Sequence, residues 1–227
     1  MSADDTPNRP LRKDAARNRQ RIVESARELF ATRGLEPNLN DVAHHAGVGV
    51  GTVYRRFSSK DELLEAIFED GLNQLIGFAE TALRQPHSWE GLAWYVEQMC
   101  EILATDRGLR EIAFSKCYGG ERVIAAQDRL IPVIKELVER ARADGHLRPE
   151  MSSTDMPILG LLAGTVSEFA GHVDEQLWRR YVAILLDGMR YRSDHVTLPV
   201  AALDDEGVEC AMQTWEPAGP CADRNRG

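Results

Sequence analysis

The side chains best suited to chemistry crowd into one short stretch. Residues 41–57 read DVAHHAGVGVGTVYRRF, and with Lys60 just beyond they gather two hydroxyls (Thr52, Tyr54), two guanidiniums (Arg55, Arg56) and an ammonium around a single helical segment. Such groups suit an anionic surface, because each donates hydrogen bonds and three of them carry positive charge. The same stretch holds Ala43, Gly47 and Val53 at the A-x3-G-x5-V spacing of a helix-turn-helix. Ala43 falls where two short helices cross, and a larger side chain would force them apart. Gly47 can take the left-handed conformation that ends the first of them tightly. Val42, Val48 and Val53 supply a small core, and Asn38, with Asp41 three residues on, can cap the first short helix.

Rival chemistries fit less well. GVGVGT suggests a phosphate-binding glycine loop, but a dinucleotide fingerprint needs glycine where Thr52 stands, and a strand before it. The preceding DVAHHA reads as helix. His44 and His45 are adjacent, so on a helix they point roughly 100° apart and cannot chelate one ion together. Cys100, Cys117, Cys210 and Cys221 are scattered and read as free thiols, neither metal site nor disulfide framework. No GxSxG, HExxH or GxxxxGK[ST] pattern appears, so neither an enzyme nor a cofactor is expected.

Helices must position these groups. Ile22, Ala26, Leu29 and Phe30 fall on one face of a helix over about 14–33, with Gly34 as its stop. Short helices follow over 39–46 and 50–57. Ser59-Lys60-Asp61-Glu62 has the form of a capping box and opens a long apolar-periodic stretch through Leu63, Leu64, Ile67, Phe68, Leu72 and Leu75. Pro86 ends it. Further helices are expected from Ser88 to about 104, and over 107–117, 121–144, 155–172 and 174–192. Strand signals are scarce. The fold class is therefore all-α, with a flexible arm over 1–13, a three-helix head over 14–60, and a helical bundle over 61–192. Residues 193–227, crowded with proline and glycine, read as an extended or disordered tail.

Charge divides along the same boundary. The net charge is -9, yet residues 1–60 hold 11 Lys and Arg against 7 Asp and Glu, a balance of +4, which leaves -13 on the remainder. A basic head on an acidic body places phosphate-attracting charge at one end. Apolar runs such as residues 157–163 fall far short of the roughly 20 residues a bilayer crossing needs, and the first residues lack the apolar centre of a secretory signal. No membrane association and a cytoplasmic location are expected.

The run Arg21-Ile22-x3-Ala26-x2-Leu29-Phe30-x3-Gly34, continued by Asp41-Val42-Ala43-x2-Ala46-Gly47-Val48-x2-Gly51-Thr52-Val53-Tyr54-x2-Phe57-x2-Lys60-x2-Leu63, resembles the TetR family of transcriptional repressors over residues 15–70. The stretch DGHLRPE at 144–150, Asp155 and the Trp178–Tyr181 segment resemble regulatory domains of the SbtR-like kind. The resemblance implies a homodimeric, DNA-binding regulator, released by a small-molecule effector from a roughly palindromic operator on double-stranded DNA. It makes 50–57 a recognition helix in the major groove. Gly51 would permit close backbone approach, and Thr52, Tyr54, Arg56, Lys60 and Asn38 would meet phosphates. Val50 and Arg55 would reach base edges, valine on a thymine methyl and arginine on guanine. Two positions depart from the family pattern: Gly49 replaces a common small hydroxyl residue, and Arg56 a common histidine.

For the bundle, the resemblance implies a ligand pocket and dimerisation through the last two helices. Trp94, Tyr95, Met99, Phe114, Tyr118 and Phe169 are the pocket candidates, being apolar with an occasional hydrogen-bonding handle. Leu161, Val166, Trp178, Tyr181, Leu185 and Met189 are the candidates for a four-helix dimer interface. Two alternatives stay open. Residues 9–21 could reach a minor groove or remain a solvated tail, and the helix-turn-helix could serve a protein partner instead of DNA.

Overall fold

Capping side chains or left-handed glycines delimit several helices of the computed structural model, which describes residues 9–114 and 120–215, with side chains from residue 17 onward. Helix α1 (Arg9–Arg33) carries Pro10 in its first turn, where no amide partner is lost, and stops at Gly34 with φ +63°. Residues 9–13 of the expected arm are thus helical, because proline starts the helix early; residues 1–8 lie outside the described residues. Helices α2 (Leu39–His45) and α3 (Val50–Tyr54) are short, and α4 (Lys60–Leu83) leads out of the head.

The body comprises α5 (Ser88–Thr105), α6 (Arg107–Ala113), α7 (Glu121–Ala143), a 3-10 turn (Ser153–Asp155), α8 (Met156–Ala170) and α9 (Leu177–Met189). The main packing pairs are α4 with α7 and α5 with α8, and α5 also touches α4, α6, α7 and α9, so it forms the axis of the bundle. One apolar cluster runs without a break from Ile22 in α1 to Met189 in α9. Among the described residues there is no named strand, and no helix is long and apolar enough to cross a membrane.

The tail departs from expectation. After α9 the chain is held down by Arg148, whose guanidinium donates to the carbonyls of Gly188 (3.2 Å) and Val196 (2.6 Å). Thr154 Oγ1 then donates to the Leu203 carbonyl at 2.7 Å. Beyond it residues Asp205–Thr214 form a tenth helix, α10, capped by Asp204, whose Oδ1 accepts from the Gly207 amide at 2.8 Å. Proline and glycine do not prevent this, because Pro199 precedes the helix in the sequence, Pro217, Gly219 and Pro220 follow it, and Gly207 falls in its first turn, where the Asp204 cap takes its amide. The apolar pair Val208 and Met212, one turn apart, is too brief to announce a helix by periodicity.

Candidate nucleic-acid interface and internal cavity

The head is built from the inside out. Ile22, Ala26, Phe30, Val42, Ala43, Val53 and Phe57 have no solvent exposure, so α1, α2 and α3 close on one another over small side chains. Asn38 caps α2 reciprocally: its Oδ1 accepts from the amides of Asn40 (2.8 Å) and Asp41 (3.2 Å), while Asp41 Oδ2 accepts from the Asn38 amide (2.8 Å). Gly47 has φ +63° at the turn. Arg21 then ties the end of α2 to α1 by donating to the Ala46 carbonyl at 3.1 Å.

What α3 does not bury it presents outward. Val50 is 46% and Tyr54 50% exposed, with Gly51, Arg55 and Arg56 exposed beside them and Thr52 half-buried. A side chain at Gly51 would meet nothing within 4 Å, so nothing inside the chain requires glycine there. Arg55 donates to Thr52 Oγ1 at 3.2 Å, which lays the guanidinium along the helix surface. Lys60 behaves differently. Its ammonium donates to the Leu35 carbonyl and lies 5.9 Å from the centre of the Phe30 ring, so it also binds the α1–α2 connection to α4. Ser59 accepts from the Glu62 amide at 3.2 Å, but the Glu62 carboxylate turns to Ser58, accepting from its amide (2.7 Å) and hydroxyl (2.9 Å). Those bonds hold the exposed Glu62 carboxyl below its ordinary pKa.

Helix α6 joins head to body. Glu111 is buried, accepts from the Leu35 amide at 2.6 Å, and meets Arg107 Nε at 2.7 Å. Its carboxylate lies where a Cβ on Gly34 would sit, 2.3 Å away, so this glycine serves both the turn and the contact. Gly108 lies against Phe30 and Phe68 in the same way. Arg110, also buried, donates to the Leu103 carbonyl at 2.5 Å and pairs with Glu168 of α8. Sequence patterning missed this network, because its bonds to Leu35 and Glu168 cross 76 and 58 positions and every residue of α6 except Arg107 is buried, leaving no amphipathic face to read.

At its other end α6 forms the wall of a cavity of 290 Å³. Phe114 and Ala113 line it with Tyr95, Met99 and Leu103 of α5, Leu130, Ile131 and Ile134 of α7, Met156 of α8, and Val208 and Met212 of α10. Gln127 of α7 steadies that wall, donating to the carbonyls of Ile112 (2.6 Å) and Ala113 (3.4 Å). The Tyr95 hydroxyl is wholly buried without a hydrogen-bond partner, and burial pushes the phenol well above its ordinary pKa. Burial likewise pushes the nearby Cys100 thiol up to about 12, which keeps it protonated.

Comparison with known proteins decides the family. Residues 22–67 match the model of the bacterial regulatory proteins of the tetR family. Over 67 residues, 29% of the chain, the sequence is 43% identical to the HTH-type transcriptional regulator SAB2452 of Staphylococcus aureus (strain bovine RF122 / ET3-1). The chain belongs to the TetR family. It spans only 36% of the length of that curated relative, so the sequence likeness is one of heads. The likeness of the whole TetR-type fold extends further. The TetR transcriptional regulator SCO0520 from Streptomyces coelicolor matches with a TM-score of 0.50 at 24% identity, over 77% of this chain and 99% of that one. A FadR regulator from Bacillus subtilis, solved with stearoyl-CoA, matches with a TM-score of 0.53 at 17% identity, over 75% and 98%.

Within the body, several expected positions are corrected. Tyr95, Met99 and Phe114 meet at the cavity, but Trp94 does not line it: half-buried, it packs edge-on against Phe78 at 5.7 Å. Phe169 is 83% exposed, because α8 buries the stripe Met156, Leu159, Gly160, Ala163 and Gly164, and position 169 lies off it. Tyr118 lies outside the described residues, as do Cys117 and Cys221. Trp178 and Met189 are buried within the protomer on the inner stripe of α9, with Val182 and Leu186, and so cannot form an outer interface. Leu161, Val166 and Leu185 are half-buried and Tyr181 is exposed; Ile158, Leu162 and Ile184, which periodicity had not singled out, are exposed on the same two helices.

Proposed function

We propose that the chain is a DNA-binding transcriptional regulator rather than an enzyme: a homodimeric repressor that leaves a roughly palindromic operator when a small molecule fills the body cavity. The outward face of α3 carries the DNA-binding part of this reading. Val50, Gly51, Tyr54, Arg55 and Arg56 stand exposed beside the half-buried Thr52, and at Gly51 the packing gives no internal reason for glycine. The basic head supplies the electrostatic attraction to phosphate, and the acidic body keeps the remainder off the duplex. Asn38 is occupied as a helix cap through its oxygen, which leaves its amide N–H groups as the phosphate donors. The names carried by the Staphylococcus and Streptomyces relatives agree with regulation.

Dimerisation is supported by the exposed Ile158, Leu162 and Phe169 of α8 with Tyr181 and Ile184 of α9, an apolar face a two-fold axis would cover. The switch follows from the placement of α6. Its last residues form the cavity wall, and one turn earlier Glu111 holds the Leu35 amide at the base of the head. A ligand that displaces Phe114 therefore pulls on the connection between α1 and α2. In a dimer this resets the spacing of the two heads, and the ligand's preference for the displaced state sets how far the operator is released. The Bacillus FadR holds stearoyl-CoA, an instance of such a fold carrying a small molecule.

Selection from a random DNA pool tests this reading. A palindromic motif, bound by the dimer with a steep loss of affinity as salt rises, is the expected result. Failure to enrich any motif, together with weak binding at low salt, would turn the reading toward a protein partner.

A further inference from the structure

Helix α10 covers the cavity without belonging to the core. None of its residues is buried, yet Val208 and Met212 face the cavity beside Ile131 and Ile134 of α7. Two of its polar latches are Lys135 Nζ, which meets Asp205 Oδ2 at 2.6 Å, and Thr154 Oγ1, which donates to the Leu203 carbonyl at 2.7 Å, while Trp215, just past its end, packs half-buried against the core. Both latches lie on the surface, and exposed ion pairs contribute little to stability. A helix with no buried residue of its own opens more readily than the bundle unfolds.

We propose that α10 is a lid, and that the cavity beneath it takes an uncharged, largely apolar molecule bearing one hydrogen-bond-accepting oxygen, such as a ketone. This rests on the reading of the cavity as the effector site. The apolar wall dictates the body of the ligand. Tyr95 lines the cavity, and its hydroxyl, buried without a partner, dictates the oxygen: a ligand that pushes aside the side chains covering it offers a carbonyl to accept its proton, and a phenol left without a partner is costly. Neutrality follows from the charges, because the wall carries Lys135, Asp205 and Glu209 and each already has a partner, Glu209 accepting from Gln213 at 3.3 Å. Lys135 is the cation of the cavity wall and is already matched by Asp205, so an anionic ligand would have to break the latch to find a counter-charge. An apolar ligand instead adds contacts to Val208 and Met212 and holds the lid shut. The lid then lengthens the time the ligand stays bound.

The test uses the full chain and prodan, a neutral naphthalene ketone whose emission shifts to the blue in apolar surroundings. Saturable, blue-shifted binding is expected. Tyr95→Phe should weaken it about fivefold, the worth of one neutral hydrogen bond. Asp205→Lys sets two ammonium groups face to face and should speed prodan release several-fold, and adding Lys135→Asp should restore the slow release. Prodan release unchanged by Asp205→Lys would overturn the lid and leave the cavity standing. Binding of anilinonaphthalene sulfonate in the cavity, blocked by Leu103→Trp, with no binding of prodan, would overturn the neutral ligand class alone. Binding of neither probe would overturn the effector-site reading itself.

Discussion

The head and the body of this protein solve opposite packing problems. In the head, Phe30, Val42, Ala43, Val53 and Phe57 close without exposure, and the interesting chemistry points outward from α3. In the body a 290 Å³ cavity is left open beside a buried hydroxyl that bonds to nothing, and the chemistry points inward. A rigid head holds side chains at fixed positions on an external surface. A body with a hole has slack, and slack lets it adopt a second arrangement when something fills the space. Truncation separates the two cases most sharply. Phe57→Ala opens a void in a fully closed core and should cost about 4 kcal/mol in urea unfolding. Met99→Ala only enlarges an existing void and should cost no more than about 2 kcal/mol. Equal losses would mean that the body closes its cavity in solution and that the contrast is false.

The joint between the two regions comes next in size. Glu111→Ala leaves the Leu35 amide buried without an acceptor and removes the carboxylate partner of Arg107, a loss of about 3 kcal/mol. Glu111→Gln keeps an acceptor for the amide and should recover about half of that. If the head moves with the cavity through α6, the alanine variant that still folds will also bind DNA with an affinity that effector no longer changes. Retained effector sensitivity would place the coupling on another helix.

The head was readable in the sequence because its constraints are local. Ala43, Gly47 and Val53 span eleven residues, and each is dictated by a neighbour within that span: a helix crossing, a left-handed turn, a shared core. The Asn38 cap follows the same logic. In the body, what matters is which face of a helix looks at which other helix, and composition does not say. Tyr95 and Trp94 are adjacent and equally aromatic, yet one lines the cavity and the other packs on Phe78. The bond from Glu111 to Leu35 crosses 76 positions, and α10 meets α7 across 70 at the Lys135–Asp205 pair. Phe169 is the exception, because the small-residue stripe of α8 already leaves it outside.

On the outer surface the effects divide by kind. Arg55→Ala should cost about 1–3 kcal/mol on the preferred operator and relax preference at one base pair, with little change on unrelated DNA. That pattern, read by repeating the pool selection with the variant, marks a side chain that reaches a base edge. A uniform loss on all sequences would move Arg55 to the phosphates.

Lys60 gives the smallest effect and the finest test of the contrast, because it stands on the border between outward chemistry and inward packing. Its ammonium donates to the Leu35 carbonyl and lies over Phe30, so part of its work is to hold α4 against the α1–α2 connection. Lys60→Ala should therefore lower the unfolding free energy by about 1 kcal/mol, the worth of one such bond and a weak cation–π contact. A lysine that also neutralises a phosphate would, when removed, reduce the slope of log affinity against log salt by about one. Loss of stability with an unchanged slope would make Lys60 a brace inside the head, leaving Thr52, Tyr54 and Arg56 to hold the backbone. Loss of slope with unchanged stability would place the ammonium on DNA and free of the Leu35 carbonyl when the operator is bound.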